Sequence, residues 1–418
     1  MKKILIIFLI FQCSIALSQT VTLEECQKSA RENSSYFKQL EKFKNINELE
    51  ERNSYFSYLP QFSVEGQASY QSEVFSLPIK IPTIKIPEVA KDQYQLSIAL
   101  NQIIWDGGTI SKAKDISNSV AELNALNSET KLYKTKELVN TLYFSILILK
   151  ENQNKLNAAL NILNANLKQV NSLVENGVLL KSASDAIQVE IIKLNQNIQS
   201  VEKDIKSNIE VLETVTLQKD LASMVFILPS VSENYTEINR PEIKLLEKNT
   251  EVYDKNKELI FTTLMPKFFF FAKAGYASPN TLNFFEQDFS SFYILGLKMA
   301  WNPFDWGNNQ RKREITEINK QNIEFDTEEL NKSINSSLIK EKNDISKYNE
   351  MINEDRKIIE IQKEIVNEKF SMLKNGTVTT AEYISDFNSL LQSQINLETH
   401  KIMLINSKIN LLTKTGNF

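Results

Sequence analysis

The sequence predicts a mainly α-helical chain that also carries membrane-type β-strands, with one structural unit encoded twice. Three observations lead there. Trp105-Asp106-Gly107-Gly108 and Phe304-Asp305-Trp306-Gly307 stand at matching places, and Gly177 and Gly376 each follow their aspartate by 71 positions. Residues 109–215 and 308–415 contain no proline and one glycine apiece. Ahead of each aspartate lie segments that alternate apolar and polar residues, the period of a two-faced strand. The match extends upstream, where Pro60 and Pro266 precede Tyr70 and Tyr276 by ten residues each. Self-similarity at fixed spacing means a repeated structural unit. The repeats run over 19–228 and 229–418.

At the N-terminus, residues 1–18 read as a secretory signal peptide. Lys2 and Lys3 give the positive start, Ile4 to Phe11 the apolar run, and Ala16-Leu17-Ser18 the small cleavage residues. Gln12 interrupts the run, which is too short for a membrane anchor. The same glutamine disfavours lipid attachment at Cys13. A helix is expected over 23–57, followed by strands at 61–71 and 93–104. In the first, Phe62, Val64, Gly66, Ala68 and Tyr70 alternate with Ser63, Glu65, Gln67, Ser69 and Gln71. In the second, Tyr94, Leu96, Ile98 and Leu100 alternate with Gln95, Ser97, Ala99 and Asn101. About ten residues is the length of a tilted strand crossing a bilayer. Pro78, Pro82 and Pro87 make 72–92 an extended loop.

A helical hairpin then spans 107–215. Leu142, Ile146, Leu149, Leu156, Leu160, Leu163, Leu167, Val170 and Val174 follow steps of three, four and seven. Such spacing implies helices supercoiled on neighbours. Asn176-Gly177 supplies the left-handed residue that ends the first helix, and a return helix follows over 178–215. Residues 216–240 form a linker. The second repeat brings a helix over 241–264 and strands at 268–277 and 292–302. Its hairpin covers 307–413, with Leu338, Ile345, Ile352, Ile359, Val366 and Leu373 spaced by seven and Asn375-Gly376 at the reversal. Each long helix has about 67 residues and a length of roughly 100 Å.

Period-two strands also suit soluble hairpins. Export, long loops on one side only and the placement of all three tryptophans favour membrane strands. Trp105, Trp301 and Trp306 sit at or just past the ends of second strands, where an interfacial aromatic belt lies. Four strands cannot close a barrel, and lipid tolerates no open sheet edge. Other copies of the chain must complete it: two would give eight strands, three would give twelve. Alternation assigns Ser63, Glu65, Gln67, Gln95, Ser97, Asn101, Lys273 and Lys298 to the lumen of that barrel.

Composition excludes other classes. The formal net charge of −4 leaves no basic stripe for nucleic acid. Cys26 is the only cysteine past the signal segment, and His400 is the only histidine. No catalytic constellation, metal cluster or cofactor site can be assembled, so the chain is not expected to be an enzyme.

Thr22-Leu23-Glu24-Glu25 with Ala30 and Asn33, Leu59-Pro60 before a strand, Trp105-Asp106-Gly107-Gly108, the two Asn-Gly reversals and the duplication together resemble the TolC-like outer membrane efflux proteins, over the whole chain past the signal. The resemblance implies a homotrimer whose twelve-stranded barrel in the outer membrane of a Gram-negative bacterium continues as a periplasmic α-barrel. It implies a passive duct in contact with outer-membrane lipid, coupled through a periplasmic adaptor (membrane fusion) protein to an inner-membrane pump of RND, MFS or ABC type. The reversal tips would form the periplasmic entrance: Asn176, Gly177, Lys181 and Asp185 in one half, and Lys374, Asn375, Gly376, Thr377 and Glu382 in the other. Some relatives carry an arginine two residues after the second tip glycine, where this chain has Val378, so a latch built on that arginine is not expected here.

Two readings follow. The first is an exit duct for efflux or type I secretion. The second is a periplasmic or surface coiled-coil adaptor or stalk without channel activity.

Overall fold

A computed structural model describes residues 20–75, 89–231, 237–283 and 286–417. The signal-type segment, Pro78, Pro82, Pro87 and Phe418 lie outside the described residues. In chain order the elements are β1 (Thr20–Val21), α1 (Leu23–Asn33), α2 (Ser35–Phe56), β2 (Gln61–Tyr70), β3 (Asp92–Trp105), α3 (Thr109–Glu175), α4 (Lys181–Thr216), β4 (Val225–Phe226), α5 (Pro241–Thr262), β5 (Lys267–Ser278), β6 (Ser290–Ala300), α6 (Asn308–Lys374) and α7 (Thr380–Thr415). The long helices α3 and α6 have 67 residues each. No described helix is long and apolar enough to cross a membrane. The chain divides into two compact units. The helical unit comprises the described residues of Met1–Gln39, Ser128–Ile243 and Glu329–Phe418, and the strand unit comprises Leu40–Asn127 and Lys244–Glu328. Each unit draws on both sequence halves.

In the helical unit the hydrophobic seams close as the spacing requires. Val139, Tyr143, Ile146, Leu163 and Val170 of α3 are fully buried. Along α4, Ile187, Leu194, Ile198, Val201, Ile205, Ile209 and Leu212 face the same core. The seven-residue row of α6 is buried at Ile352, Ile359, Val366 and Leu373, whereas Leu338 and Ile345 are half-buried. Each fully buried aliphatic side chain contributes about 1.5–3 kcal/mol. Asn166 of α3 donates to the Tyr383 hydroxyl of α7 at 2.5 Å in this core. β1 and β4 form a two-stranded parallel sheet. It is pinned by Tyr143, whose hydroxyl lies 2.8 Å from the Val21 carbonyl and 2.7 Å from that of Ile227 and accepts the Ile227 N–H.

The helix expected over 23–57 is two helices. Thr22 starts α1 with a capping box, its hydroxyl accepting from the Glu25 N–H while Glu25 accepts from the Thr22 N–H. Leu23, Cys26 and Ala30 are buried, and Asn33 donates to the Thr216 carbonyl at the end of α4. Ser34 then turns extended, at φ −67° and ψ 138°, and its hydroxyl accepts from the Tyr36 N–H as α2 begins. The break thus combines a local serine bond at the start of α2 with the contact of Asn33 on α4.

The strand unit holds one antiparallel sheet in the order β2-β3-β5-β6, which brings strands of both sequence halves side by side. The close passage of β5 by β3 depends on Gly275. A Cβ there would come within 2.4 Å of the Leu96 carbonyl oxygen and 2.8 Å of the Ser97 Cβ. Helix α2 buries no residue and α5 buries only Thr262. Ion pairs tie both to the long helices: Glu51 of α2 pairs with Lys114 of α3, and α5 pairs through Glu258 with Lys112 of α3 and through Lys257 and Asp254 with Glu317 and Lys320 of α6.

Candidate functional site

Two places carry the sequence-derived candidates: the sheet of the strand unit and the helix reversals of the helical unit. In the sheet, cross-strand partners share a face, and the ladder settles which residues do. Glu65 opposes Ser97, Gln67 opposes Gln95, Ser63 opposes Ala99 and Gln61 opposes Asn101. Ala99 opposes Lys273, which in turn opposes Ile294. With the two-residue period, Ser63, Glu65, Gln67, Gln95, Ser97, Asn101, Lys273 and Lys298 all lie on one face. Lys273 donates to Glu65 at 3.1 Å across β3. Gln95 donates to the Ser97 hydroxyl at 3.3 Å, and Ser97 itself is buried beneath its neighbours.

The other face is apolar and bare. Phe62, Val64, Tyr70, Leu96, Tyr293 and Leu297 are each at least 61 % exposed. A contiguous apolar surface of this kind marks contact with lipid or another protein. Strands β2 and β6 have one neighbour each, so both edges of the sheet are open among the described residues.

Sequence reasoning missed Lys267, Phe269, Phe271 and Phe292, which the same ladder puts on the polar face: Phe269 opposes Lys298 and Phe271 opposes Gly296. The run Phe268-Phe269-Phe270-Phe271 hides alternation because both faces carry the same residue. Counting back in twos from Lys273 recovers the assignment.

Where strands give way to long helices, the two aspartates act alike. Asp106 accepts from the Gly108 N–H at 2.9 Å and the Ile110 N–H at 2.6 Å; Asp305 accepts from Gly307 at 3.0 Å and Asn309 at 2.6 Å. These carboxylates satisfy helix-start donors that have no partner inside the helix. Gly107 and Trp306 hold the same left-handed place, at φ 72° and 56°. Trp105 lies 6.0 Å from Phe268 between ring centres, Trp301 donates its indole N–H to the Leu264 carbonyl, and Trp306 packs edge-on against Phe304. All three tryptophans are substantially exposed, Trp306 most of all.

At the reversals, Gly177 and Gly376 have φ 76° and 70°. Gly177 donates to the Val174 carbonyl and Val178 to that of Leu173; Gly376 and Thr377 repeat the pattern on Leu373 and Met372. Both are Schellman ends, which need a left-handed residue free of a Cβ clash. Asn176 and Asn375 donate their backbone N–H groups to the Ser172 and Ser371 carbonyls, and Asn176 adds its side-chain amide to the same Ser172 carbonyl. The return helices start at Lys181 and Thr380, three residues later than the sequence suggests, because Leu180 and Thr379 are extended. Thr379 accepts from the Glu382 N–H. Of the charged tip residues, Glu382 pairs with Lys369 at 3.7 Å and Lys374 lies over the Phe370 ring. Lys181 and Asp185 are exposed. A groove of 420 Å³ lies between the two tips, lined by Val178, Leu180, Ala183, Gly376, Val378 and Ala381 among others.

Among the described residues no group of three His, Cys, Asp or Glu side chains is placed to hold a metal ion. His400 pairs with Asp355 at 2.6 Å beside the Tyr348 ring. Burial pushes the Cys26 thiol up to about 12, which keeps it protonated.

No protein-family model matches the sequence, and comparison with curated proteins gives no significant match. Solved structures do match. The outer membrane protein VceC from Vibrio cholerae superposes with a TM-score of 0.74 at 14% identity, covering 94% of this chain and 96% of that one. CusC, described in connection with transmembrane channel formation, gives 0.73 at 14% identity, with 96% of each chain covered. The Campylobacter jejuni outer membrane channel CmeC gives 0.67 at 14% identity, over 94% of this chain and 85% of that one.

Proposed function

We propose that this chain, which has the fold of the TolC-like outer-membrane channels, is one subunit of a homotrimeric exit duct in the outer membrane of a Gram-negative bacterium. The observation that carries the reading is the four-stranded sheet with one bare apolar face, one polar face and two open edges. Water would penalise the apolar face and lipid would penalise the edges. Both costs vanish when β2 of one copy pairs with β6 of the next and the closed barrel sits in a bilayer. Three copies give the twelve strands of the resembled family.

Transport needs no chemical step in such a duct. The polar face becomes the bore, the two reversal tips form the periplasmic entrance, and the tip residues Asn176, Gly177, Lys181, Asp185, Lys374, Asn375, Gly376, Thr377 and Glu382 line it. An adaptor protein engages the periplasmic part and links it to an inner-membrane pump, for efflux or type I secretion. The halves 19–228 and 229–418 are two copies of one wall segment, and their equal spacing brings both tips to one level.

Reconstitution in planar bilayers tests the duct. A trimeric mass with stable channel conductance is expected, and a soluble monomer without conductance would overturn the reading. Crosslinked co-purification of an adaptor and an inner-membrane pump tests the coupling. The alternative of a stalk lacks support, because a stalk in water gives the bare apolar face no partner.

A further inference from the structure

We infer that the polar face of the sheet carries a binding band for organic anions with an aromatic or apolar body, where the strands meet the helices. The inference rests on the duct reading, which makes this face the bore. Along β5, Lys267, Phe269 and Phe271 share the face of Lys273, and on β6 Lys298 and Gly296 stand opposite the two rings. Two cations and two aromatic rings therefore occupy adjoining rungs of one ladder.

Charge on this face is not balanced. Glu65 is the only carboxylate among the strand residues of the face, and Lys273 occupies it at 3.1 Å. Lys267 and Lys298 take part in no ion pair among the described residues, and Lys298 is exposed. The rings are accessible as well, since Phe269 and Phe271 are half-buried. Gly296 makes room for one of them: a Cβ there would come within 3.0 Å of the Phe271 ring, so the ring lies over the strand in the space a side chain would take.

The chemistry selects a class of solute. A flat apolar body stacks against Phe269 and Phe271. A sulfonate or carboxylate on that body meets Lys267 or Lys298 in a charge-assisted contact. An ammonium on the same body meets two unbalanced cations and is repelled. Every copy in the assembly repeats the band around the bore.

Equilibrium dialysis of the purified oligomer, with the same nonionic detergent on both sides, tests this with 2-naphthalenesulfonate and a naphthylmethyl-trimethylammonium salt. The sulfonate is expected to bind about tenfold more tightly, the order of one charge-assisted contact. The double variant Lys267→Gln/Lys298→Gln should abolish that preference, and Phe269→Ser should weaken both probes. The oligomer mass and melting midpoint of each variant, measured alongside, should stay at the parent level, which shows the wall intact. Equal binding of the two probes by the parent, or an unchanged preference in the double variant, overturns the inference. Because dialysis does not need current, a conducting channel without preference removes only this inference, and absence of conductance removes the duct reading.

Discussion

Replacing Asp106 by alanine should open the start of α3 without disturbing the rest of that helix. The carboxylate is 5 % exposed and accepts two backbone donors, Gly108 N–H at 2.9 Å and Ile110 N–H at 2.6 Å. Losing a helix-start cap costs about 0.5–2 kcal/mol. Because this carboxylate is buried and its loss leaves two backbone donors unpaired, the upper end applies, about 2 kcal/mol. Local opening should then become about thirtyfold more frequent, by the tenfold-per-1.4 kcal/mol rule. Hydrogen exchange resolved at the Gly108 and Ile110 amides reads this directly, with amides near Ile146 as internal reference. Asp305→Ala offers a second trial, since Asp305 holds Gly307 and Asn309 at 3.0 and 2.6 Å. If protection at Gly108 and Ile110 stays unchanged in Asp106→Ala, the carboxylate does not hold the helix start and the reasoning fails.

Gly275→Ala should destabilise the sheet by about 1–3 kcal/mol through overpacking, because the new methyl meets the Leu96 carbonyl oxygen at 2.4 Å; a reduced yield of assembled oligomer checks this. Gly177→Ala and Gly376→Ala meet no tight contact, so each should cost only the left-handed backbone term, about 1 kcal/mol, seen as a small drop in the melting midpoint. Hydrogen bonds from Lys248 and Lys255 hold the Glu251 carboxyl down to about 2, below its unfolded value, so its stabilisation is present above about pH 4.5 and lost as pH falls toward 2. The melting midpoints of the parent and Glu251→Gln should therefore differ at pH 6 and converge near pH 2; a constant gap would refute the pairing. Cys26 should resist maleimide at pH 8 until the chain unfolds, given its burial and raised thiol pKa.

Local chemistry made much of the fold readable. Alternation of apolar and polar residues in 61–71 and 93–104 is a statement about two faces, and β2 and β3 realise it almost to the residue. Proline-free runs with one Asn-Gly encode long helices and one left-handed stop, hence two helices of 67 residues ending in matching Schellman turns. What stayed hidden depended on partners distant in sequence. Asn33-Ser34-Ser35 is cap-type sequence that a single helix over 23–57 passes over, and the bond of Asn33 to the distant Thr216 carbonyl was not legible locally. Four successive phenylalanines carry no parity of their own; counting back in twos from Lys273 gives Phe269 and Phe271 their face, but only β6 shows that Lys298 and Gly296 stand opposite them. Lys369 as the partner of Glu382 follows from how α6 and α7 lie side by side, which heptad spacing leaves open.

By itself the sequence determined the periods, lengths and stops of this chain, since backbone geometry translates apolar spacing directly into strand or helix. Strand order, cross-strand register, the placing of β3 beside β5 and the grouping of two lysines with two aromatic rings were decided only by tertiary structure. Those features are contacts between residues far apart along the chain, and a one-dimensional pattern fixes which face a residue prefers without naming the residue it will meet there.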